Sequence, residues 1–381
     1  MKIVITVNTY YPLKDGVQLV TQYHAENLAR KGHEVTVITP NYGNREQEFY
    51  KGVYIIRTDI VTKHAMYYGD KRAYQNLVLQ ETKKADAMVN VCTQNPMTDW
   101  LFPILDKIVC KKILYMHGMH EQRWNADMLK SAADVGHKIW NNGRWGWYYK
   151  TSGKYFRKYN HIVQLHRFDA AFLYFRKHYG MNCRVIENAA EDIFFERAKT
   201  EKREKHYAVC VANYIERKNQ EFVLRSFYQA KLPESWRMIF IGSEKNHYYE
   251  RLAGLNQKLA DRHGKRDVEF LWGVDRADTI EYMKRADLSL MGSKWEAFPI
   301  SIVESMAAAV PFITTDVGCV RYLPGGVVVS EASEMAYWLE LLAKNSESRC
   351  MLGQAGFEYA KSNLSIQSKV NQLEHLLKSE E

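Results

Sequence analysis

The chain has 381 residues, of which 46% are apolar and 25% are charged, and its formal net charge at pH 7 is +9. This composition is typical of a folded protein of two domains, and it excludes a disordered chain, a collagen-like fibre and a small scaffold held by disulfides. The positive charge favours anionic partners (phosphorylated small molecules, nucleic acid or an anionic membrane surface) without choosing among them.

Two further features favour a cytoplasmic protein. No stretch has the roughly 18 consecutive apolar residues that span a bilayer, and the first residues turn polar too soon for a secretory signal. The six cysteines are scattered and form no C-x-x-C pair. We therefore expect reduced thiols, and neither a disulfide framework nor a zinc site.

Short β-branched runs alternate with longer amphipathic stretches along the chain. The predicted strands are 2–7, 34–39, 53–57, 87–92, 112–117, 161–166, 183–188, 207–212, 237–242, 268–273, 288–293 and 311–316. Predicted helices include 17–31, 219–230 and 277–285, and the chain ends in two more, 346–361 and 365–378. This alternation predicts an α/β fold of two Rossmann-like domains with parallel sheets that face a central cleft. The dense charge of residues 191–205 indicates the boundary.

The loop after the first strand ends at Gly16, where a helix begins. It lacks the G-x-G-x-x-G pattern, so a nicotinamide or flavin cofactor is not indicated. Free backbone N–H groups at the start of a helix attract anions, and Gly16 would let a phosphate approach them. A plain turn glycine explains the residue equally well.

Basic and aromatic residues alternate over residues 137–159, a segment without Asp or Glu. This pattern suits a membrane headgroup region, an anionic lipid-linked acceptor or stacking on sugar rings. A packed helix pair with a basic solvated face explains it equally well. Nucleic acid is not expected, because no RNA-binding motif accompanies the segment. The candidate acceptor or membrane contacts are Trp140, Arg144, Trp145, Trp147, Lys150, Lys154, Arg157 and Lys158.

The densest group of candidate functional residues lies between the strand 288–293 and Pro311. Pro299 suits the first position of a helix, where its missing N–H costs nothing, so the backbone N–H groups of 297–300 would be available to a ligand. Glu304 lies farther along this helix among small apolar residues, and its carboxylate needs ribose hydroxyls or an Arg as partner. Glu296 precedes the helix. The two carboxylates are too far apart for a retaining glycosidase pair, which needs about 5–5.5 Å.

On these residues the sequence resembles the retaining GT-B glycosyltransferases of family 4, whose pattern is E-x₇-E with Gly-Phe-Pro after the first Glu. Here the pattern is Glu296-Ala297-Phe298-Pro299 followed by Glu304. The resemblance continues in family order over nearly the whole chain, in segments 12–17, 32–39, 115–118, 185–188, 211–218, 240–242 and 315–318.

The resemblance implies an acceptor domain at 1–190 and a nucleotide-sugar domain at 191–381, with the terminal helix packing back on the first domain. It also implies transfer of a sugar, with retention of configuration, from a nucleotide-diphosphate sugar to a glycan or lipid-linked acceptor, as in surface polysaccharide synthesis. The catalytic candidates are His117 and Glu296. The donor-binding candidates are Gly16, Asn213, Lys218, Gly273, Val274, Phe298, Pro299, Ile300 and Glu304.

By similarity, Glu304 would bind the ribose hydroxyls, and Lys218 and Gly16 would face the diphosphate. Gly273 and Val274 would lie beside the nucleobase. The backbone of residues 298–300 would serve the donor, while His117 and Glu296 would line its sugar site.

Several positions depart from the family pattern. Asn213 stands where the family has an Arg, which removes a positive charge from the diphosphate site, and Asp15 stands where it has a first Gly. No D-x-D triplet occurs, so we expect no metal and no cofactor beyond the donor. Two other functions stay open, a sugar-nucleotide epimerase and a catalytically inactive GT-B binding module.

Overall fold

The computed structural model describes residues 1–13, 15–42, 48–63, 66–119, 124, 131–196 and 205–379. The chain divides into two compact units. Unit 1 comprises Met1–Ile186 and Val370–Glu381, and unit 2 comprises Glu187–Lys369. The charged stretch 191–205, where the sequence predicts a boundary, begins shortly after the first division, and its residues 197–204 lie outside the described residues.

Unit 1 is built on a sheet in the order β10-β9-β8-β7-β1-β2-β4-β3, parallel except for β3 at one edge. A small antiparallel hairpin, β5–β6, stands apart from it. The strands are β1 (Lys2–Thr6), β2 (Glu34–Pro40), β3 (Phe49–Tyr50), β4 (Val53–Thr58), β5 (Val61–Lys63), β6 (Met66–Tyr68), β7 (Ala87–Val91), β8 (Lys111–Tyr115), β9 (His161–Gln164) and β10 (Arg184–Val185).

The helices of unit 1 are α1 (Gly16–Arg30), α2 (Lys71–Thr82), α3 (Pro96–Asp99), α4 (Ala132–Phe156) and α5 (Ala170–Tyr179). Short polar side chains cap the first turns of four of them: Asp15, Asp70, Ser131 and Asp169 each accept a hydrogen bond from a backbone N–H. Such caps satisfy N–H groups that have no partner within the helix, which explains why the helices begin at these positions.

Unit 2 has one sheet in the order β13-β12-β11-β14-β15-β16, with every pair parallel. Its strands are β11 (His206–Val211), β12 (Trp236–Gly242), β13 (Val268–Trp272), β14 (Leu288–Met291), β15 (Phe312–Thr315) and β16 (Gly326–Val329). Its helices are α6 (Gln220–Gln229), α7 (His247–His263), α8 (Arg276–Lys284), α9 (Ile300–Ala307), α10 (Ala332–Lys344) and α11 (Ser346–Asn363).

The last helix, α12 (Ile366–Lys378), begins in unit 2 and ends in unit 1. Within unit 1, Lys31 donates to Asn371 Oδ1 at 2.7 Å, and His33 Nε2 lies 3.0 Å from Glu374 Oε1. These contacts join the end of the chain to the turn between α1 and β2.

The central strands are buried along their whole length and are mostly apolar, as expected where helices cover both faces of a sheet. Every residue of β7, β9 and β14 is buried. In unit 1 the core joins Met88 and Leu114 to aromatic residues of α4, among them Tyr149 and Phe156. The strand ends are thereby fixed, and so are the loops that leave them.

All the predicted strands are present, although 183–188 is reduced to Arg184–Val185. The sequence pattern does not predict β3, β5, β6 or β16. The first three are short and largely exposed. β16 is a half-buried edge strand of four residues that does carry an apolar run, Val327–Val329, and the prediction overlooks it.

Among the described residues, no helix is both long enough and apolar enough to cross a bilayer. All six cysteines are free thiols in the structure.

Candidate active site

The strand order of the unit 2 sheet reverses at its centre. After β11 the chain adds β12 and β13 on one side, and it later adds β14 on the other side. β11 and β14 are therefore neighbours, with Ala208 opposite Leu288. The loops that follow these two strands leave the same edge of the sheet. Ligands of open α/β sheets bind at such a reversal, which makes these loops the candidate site.

The two loops meet through an ion pair. Lys218 Nζ donates to Glu296 Oε1 at 2.6 Å, and a guanidinium nitrogen of Arg217 lies 3.5 Å from Glu296 Oε2. The side chains of Glu296 and Lys218 are 9% and 20% exposed, so the group is shielded but reachable. Two cations and one carboxylate thus converge at the reversal, a group able to bind both an anion and hydroxyls.

Arg217 is a site residue that the sequence analysis does not select. Its guanidinium donates to Trp295 O at 3.2 Å and lies 5.3 Å from the centroid of the Trp295 ring. Asn213, where the family has an Arg, is exposed at the end of β11. Arg217 supplies a positive charge in the same loop. The only sequence signal for Arg217 is that a second basic residue stands beside Lys218. The sequence does not predict which way the Arg217 side chain points.

Two glycines allow these loops to approach closely. Gly318, after β15, has φ +56, and a Cβ there would lie 2.3 Å from Ala297 O. A Cβ on Gly292, after β14, would lie 2.8 Å from Asn219 O. Both distances are below any ordinary contact, so only glycine fits either position. The sequence analysis uses Gly318 for the resemblance and gives it no role.

Glu304 lies on α9 and is 3% exposed. Its Oε1 accepts a hydrogen bond from Arg276 at 2.5 Å, and Arg276 also contacts Glu191 Oε1 at 2.7 Å. Burial raises the pKa of Glu304, and the Arg276 charge opposes that rise. Of the two partners that the sequence left open, the structure contains the Arg. It is 28 positions away in sequence, so no local motif predicts it.

Gly273 and Val274 form the turn between β13 and α8. Gly273 has φ +63, a left-handed conformation that favours glycine, and its N–H points to Ser243 O at 3.1 Å. Arg276 follows directly, at the start of α8. The turn predicted beside the nucleobase and the partner of Glu304 therefore belong to one short segment.

The start of α9 differs slightly from the prediction. Pro299 is the N-cap, not the first helical residue, and the helix begins at Ile300. Phe298 precedes it, and its carbonyl accepts from Asn188 Nδ2 at 2.7 Å. Pro299 has extended backbone geometry here, so the helical conformation starts one residue later.

In unit 1, α1 begins at Gly16, which confirms the predicted helix start. Asp15 Oδ1 accepts from Gln18 N at 2.8 Å. A carboxylate therefore already lies at the helix N-terminus where the sequence places an anion site. The acid that departs from the family pattern has a structural role as the helix cap.

His117 follows β8 and stacks on Tyr115, with ring centroids 5.1 Å apart. The residue is partly exposed, yet protein surrounds the imidazole closely enough that burial lowers its pKa to about 4. The ring is therefore neutral at physiological pH, and it can donate or accept a hydrogen bond without adding charge.

The loop after β7 holds a polar group that the sequence analysis misses. Two of its residues, Cys92 and Gln94, have left-handed backbone with φ +63 and +64. Asp99 Oδ1 accepts from Gln94 N at 3.2 Å and from Tyr148 at 2.6 Å, and Oδ2 accepts from Tyr67 at 2.9 Å. Burial raises the pKa of Asp99 to about 6. The partners come from distant segments, so no spacing could reveal them.

The basic and aromatic segment is one helix, α4, followed by a turn, and not two helices, and α4 packs against α5, where the ring centroids of Phe156 and Phe175 lie 5.0 Å apart. Tyr149 and Phe156 are buried, while Trp140 and Trp147 are 68% and 70% exposed. Lys150, Lys154 and Arg157 are exposed too. Spacings of three, four and seven put these five residues on one face, which we call the α4 stripe.

The other three predicted contacts lie outside the stripe. Arg144 and Trp145 are partly buried, with the guanidinium 4.5 Å from the Trp145 ring centroid, and Trp145 packs against Tyr148. Lys158 is paired with Asp106. In the part of the chain that the structure describes, no group of three His, Cys, Asp or Glu residues could hold a metal ion.

Two family sequence models match the chain. Glycosyltransferase Family 4 matches residues 14–191, and Glycosyl transferases group 1 matches residues 192–356. Together they cover most of the chain, and they meet shortly after Glu187, where unit 2 begins.

Known proteins that are similar to this chain include the following three. The GDP-Man:Man(3)GlcNAc(2)-PP-Dol alpha-1,2-mannosyltransferase of Neurospora crassa is 25% identical over 126 residues, which are 32% of this chain and 23% of that protein. The match therefore spans less than a quarter of that relative. Sucrose-phosphate synthase from Thermosynechococcus elongatus superposes with a TM-score of 0.76 at 14% identity and 98% coverage of both chains. HepE from Anabaena, solved in complex with UDP and glucose, superposes with a TM-score of 0.71 at 15% identity and 99% coverage of both chains.

The fold is therefore GT-B, with two Rossmann-like units, and the protein is a glycosyltransferase. The chain belongs to the GT-B glycosyltransferases of the family 4 type.

Proposed function

We propose that this enzyme moves a sugar, with retention of configuration, from a nucleoside-diphosphate sugar to a glycan or lipid-linked acceptor in surface polysaccharide synthesis. The observation that carries the proposal is the group formed by Lys218, Arg217 and Glu296 at the strand reversal of unit 2. The complex of HepE with UDP and glucose supports a nucleotide-sugar donor. The acceptor in the name of the Neurospora relative supports a lipid-linked one.

In this proposal the two cations act on the leaving group. Cleavage of the anomeric C–O bond builds negative charge on the leaving diphosphate, and Lys218 and Arg217 stabilise it because they are already in place. The N–H of Ile300, at the start of α9, points to the same anion. When the donor binds, Glu296 gives up its hydrogen bond from Lys218 and accepts hydrogen bonds from hydroxyls of the donor sugar.

The remaining donor contacts follow the sequence prediction. Glu304 binds the ribose hydroxyls, Gly273 and Val274 lie beside the base, and the backbone at Phe298 and Pro299 supports the donor. In unit 1, Gly16 approaches the diphosphate and the neutral imidazole of His117 contacts the transferred sugar. Asn213 contributes no charge, and Arg217 takes over the electrostatic role that an Arg there would have.

Retention needs no carboxylate nucleophile in this scheme. The acceptor hydroxyl attacks from the face that the diphosphate leaves, and a phosphate oxygen takes its proton. Because Lys218 and Arg217 carry the compensating charge and the chain has no D-x-D triplet, we propose that transfer needs no divalent metal.

The test combines three variants with product analysis. Glu296→Gln, Glu304→Gln and Lys218→Ala should each lower the transfer rate by about a hundredfold or more. Lys344→Ala, which removes an exposed partner of Glu340, is the control and should keep wild-type activity. Near-wild-type rates in all three variants would refute the site.

Product NMR should show the donor's anomeric configuration, and activity should persist in excess chelator. Conversion of the donor without an acceptor would indicate an epimerase. Donor binding without any turnover would indicate an inactive binding module.

We further propose that the enzyme works in the cytoplasm at the inner face of a membrane, where the α4 stripe meets anionic lipid. Trp140 and Trp147 present large apolar surfaces to solvent, and three basic residues continue the same face. Indole rings suit the headgroup level of a bilayer, and each basic residue near an anionic surface adds about 1 kcal/mol.

Liposome flotation tests this surface. The wild type should float with vesicles that contain anionic lipid and remain unbound with neutral ones. Replacing Trp140 and Trp147 together with Ala should abolish flotation. Tyr337→Ala, at a 60% exposed aromatic residue of unit 2, should not. Wild-type recovery in the soluble fraction with anionic vesicles would refute the proposal.

A further inference from the structure

Arg276, the first residue of α8, lies between three groups. Its Nε and one terminal nitrogen donate to Glu191 Oε1 at 2.9 and 2.7 Å, and that terminal nitrogen also donates to Glu304 Oε1 at 2.5 Å. The guanidinium lies 5.2 Å from the ring centroid of Phe194, which is 1% exposed. A planar cation held by a ring and two carboxylates has a fixed orientation.

We propose that Arg276 is a positioning residue for the donor's nucleoside: it orients and charges Glu304 so that Oε2 accepts from the ribose hydroxyls. The inference rests on the proposed nucleotide-sugar site and adds to it a residue that the sequence analysis does not select. Arg276 itself need not touch the donor, because its Nε and one of its terminal nitrogens already donate to Glu191 and Glu304.

The electrostatic surroundings explain why Glu304 needs this partner. Among the described residues, the charges that act on its carboxylate are Arg276 from α8 and Glu191, just before the turn Asp192–Phe195. Asp192 in that turn is exposed. Two other elements pack against α9: β15 (Phe312–Thr315) contains no charged residue, and α11 approaches Met306 of α9 at Gly356.

Without Arg276, burial and the negative charge of Glu191 would both favour the protonated form of Glu304. A protonated carboxyl is an uncharged and therefore weaker acceptor, and one of its oxygens has become a donor, so its hydrogen bonds from the ribose hydroxyls weaken. The loss should therefore depend on pH and on the 2′-hydroxyl, which a purely structural role would not produce.

The experiment measures nucleotide affinity by titration calorimetry with UDP and GDP, and then with the 2′-deoxy form of the nucleotide that binds. A hydrogen bond to a buried carboxylate is equivalent to about tenfold in affinity, so the wild type should prefer the ribo form by about tenfold between pH 6 and pH 9. Arg276→Gln should lose this preference at pH 6 and recover part of it at pH 9.

Two further variants make the result interpretable. Arg276→Met keeps the apolar stem against Phe194 and should behave like Arg276→Gln, which covers the case in which one of them does not fold. Glu191→Gln removes the competing carboxylate, so that Arg276 forms its ion pair with Glu304 alone. This variant should keep the ribo preference at both pH values.

Two outcomes separate this inference from the proposed function. A folded Arg276 variant with the wild-type ribo preference at pH 6 would overturn the inference and leave the donor site intact. A wild type that binds neither nucleotide would overturn the donor site itself, and the inference with it.

Discussion

Gly318→Ala is the sharpest test of how the site is held in place. A Cβ at this position would lie 2.3 Å from Ala297 O and 2.7 Å from Glu296 O, both of them backbone atoms. Ordinary van der Waals contact begins at 3.4 Å, so the loop that carries Glu296 must move by about 1 Å. The left-handed conformation at φ +56 adds about 1–2 kcal/mol of backbone strain for an L-residue.

The two effects have different consequences for the protein. Backbone strain lowers the free energy of unfolding, whereas the displacement moves Glu296 away from Lys218. A misplacement of about 1 Å in a catalytic group costs about a hundredfold in rate. We therefore expect Gly318→Ala to remain folded near room temperature and to transfer sugar about a hundredfold more slowly than the wild type.

Gly180→Ala separates strain from displacement. Gly180 ends α5 at φ +65, and nothing lies within 4 Å of a Cβ built on it, so this variant has the same backbone strain and no clash. Initial rates of nucleoside-diphosphate release and thermal unfolding should be measured for both variants. If Gly318→Ala is as active as Gly180→Ala, the reasoning about the Glu296 loop is refuted.

Three further predictions concern buried ionisable groups. Lys369→Met should lower the free energy of unfolding by about 3–5 kcal/mol, because Lys369 and Glu187 form a 3.1 Å ion pair with side chains only 4% and 15% exposed. The control Lys344→Met, at an exposed ion pair, should lower the free energy of unfolding by under about 0.5 kcal/mol in a denaturant titration. Equal losses in the two variants would contradict the prediction. Burial lowers the pKa of His117 to about 4, so NMR of its imidazole should show no titration between pH 5.5 and 8; a midpoint at about 6.5 would refute it. Burial raises the pKa of Asp99 to about 6, so the folded state holds this proton more tightly than the unfolded chain does. The stability of the wild type relative to Asp99→Asn should therefore fall as pH rises from about 4 to about 6, and a constant difference would contradict this.

The sequence predicts the sheets well for a physical reason. A strand buried on both faces is largely apolar, and that property is local, so it can be recognised in a run such as Ala87–Val91, where Asn90 is the one polar residue. Helix starts are local in the same way, as Asp15 and Gly16 illustrate. An exposed strand such as Val61–Lys63 has no such signature. The edge strand Gly326–Val329 has three consecutive valines, and the prediction overlooks it.

The candidate site likewise contains residues with a local sequence signal and residues without one. Glu296, Glu304 and Lys218 are predictable because each occupies a fixed place in a loop or helix that follows a predicted strand. Their charge partners are not predictable in this way. Arg276 reaches Glu304 across two different helices, and Arg217 turns toward Glu296 from a loop 79 positions earlier in the chain.

These partnerships depend on tertiary packing, because a cation finds its carboxylate only when the sheet order is set. At the reversal between β11 and β14, residues near 217 and 296 become neighbours. Burial without a cation favours the protonated form of a carboxylate, and at Glu304 the charge of Arg276, which the fold brings to it, opposes that tendency. The donor-binding residues that the sequence predicts therefore need charge partners, and only the sheet topology brings those partners to them.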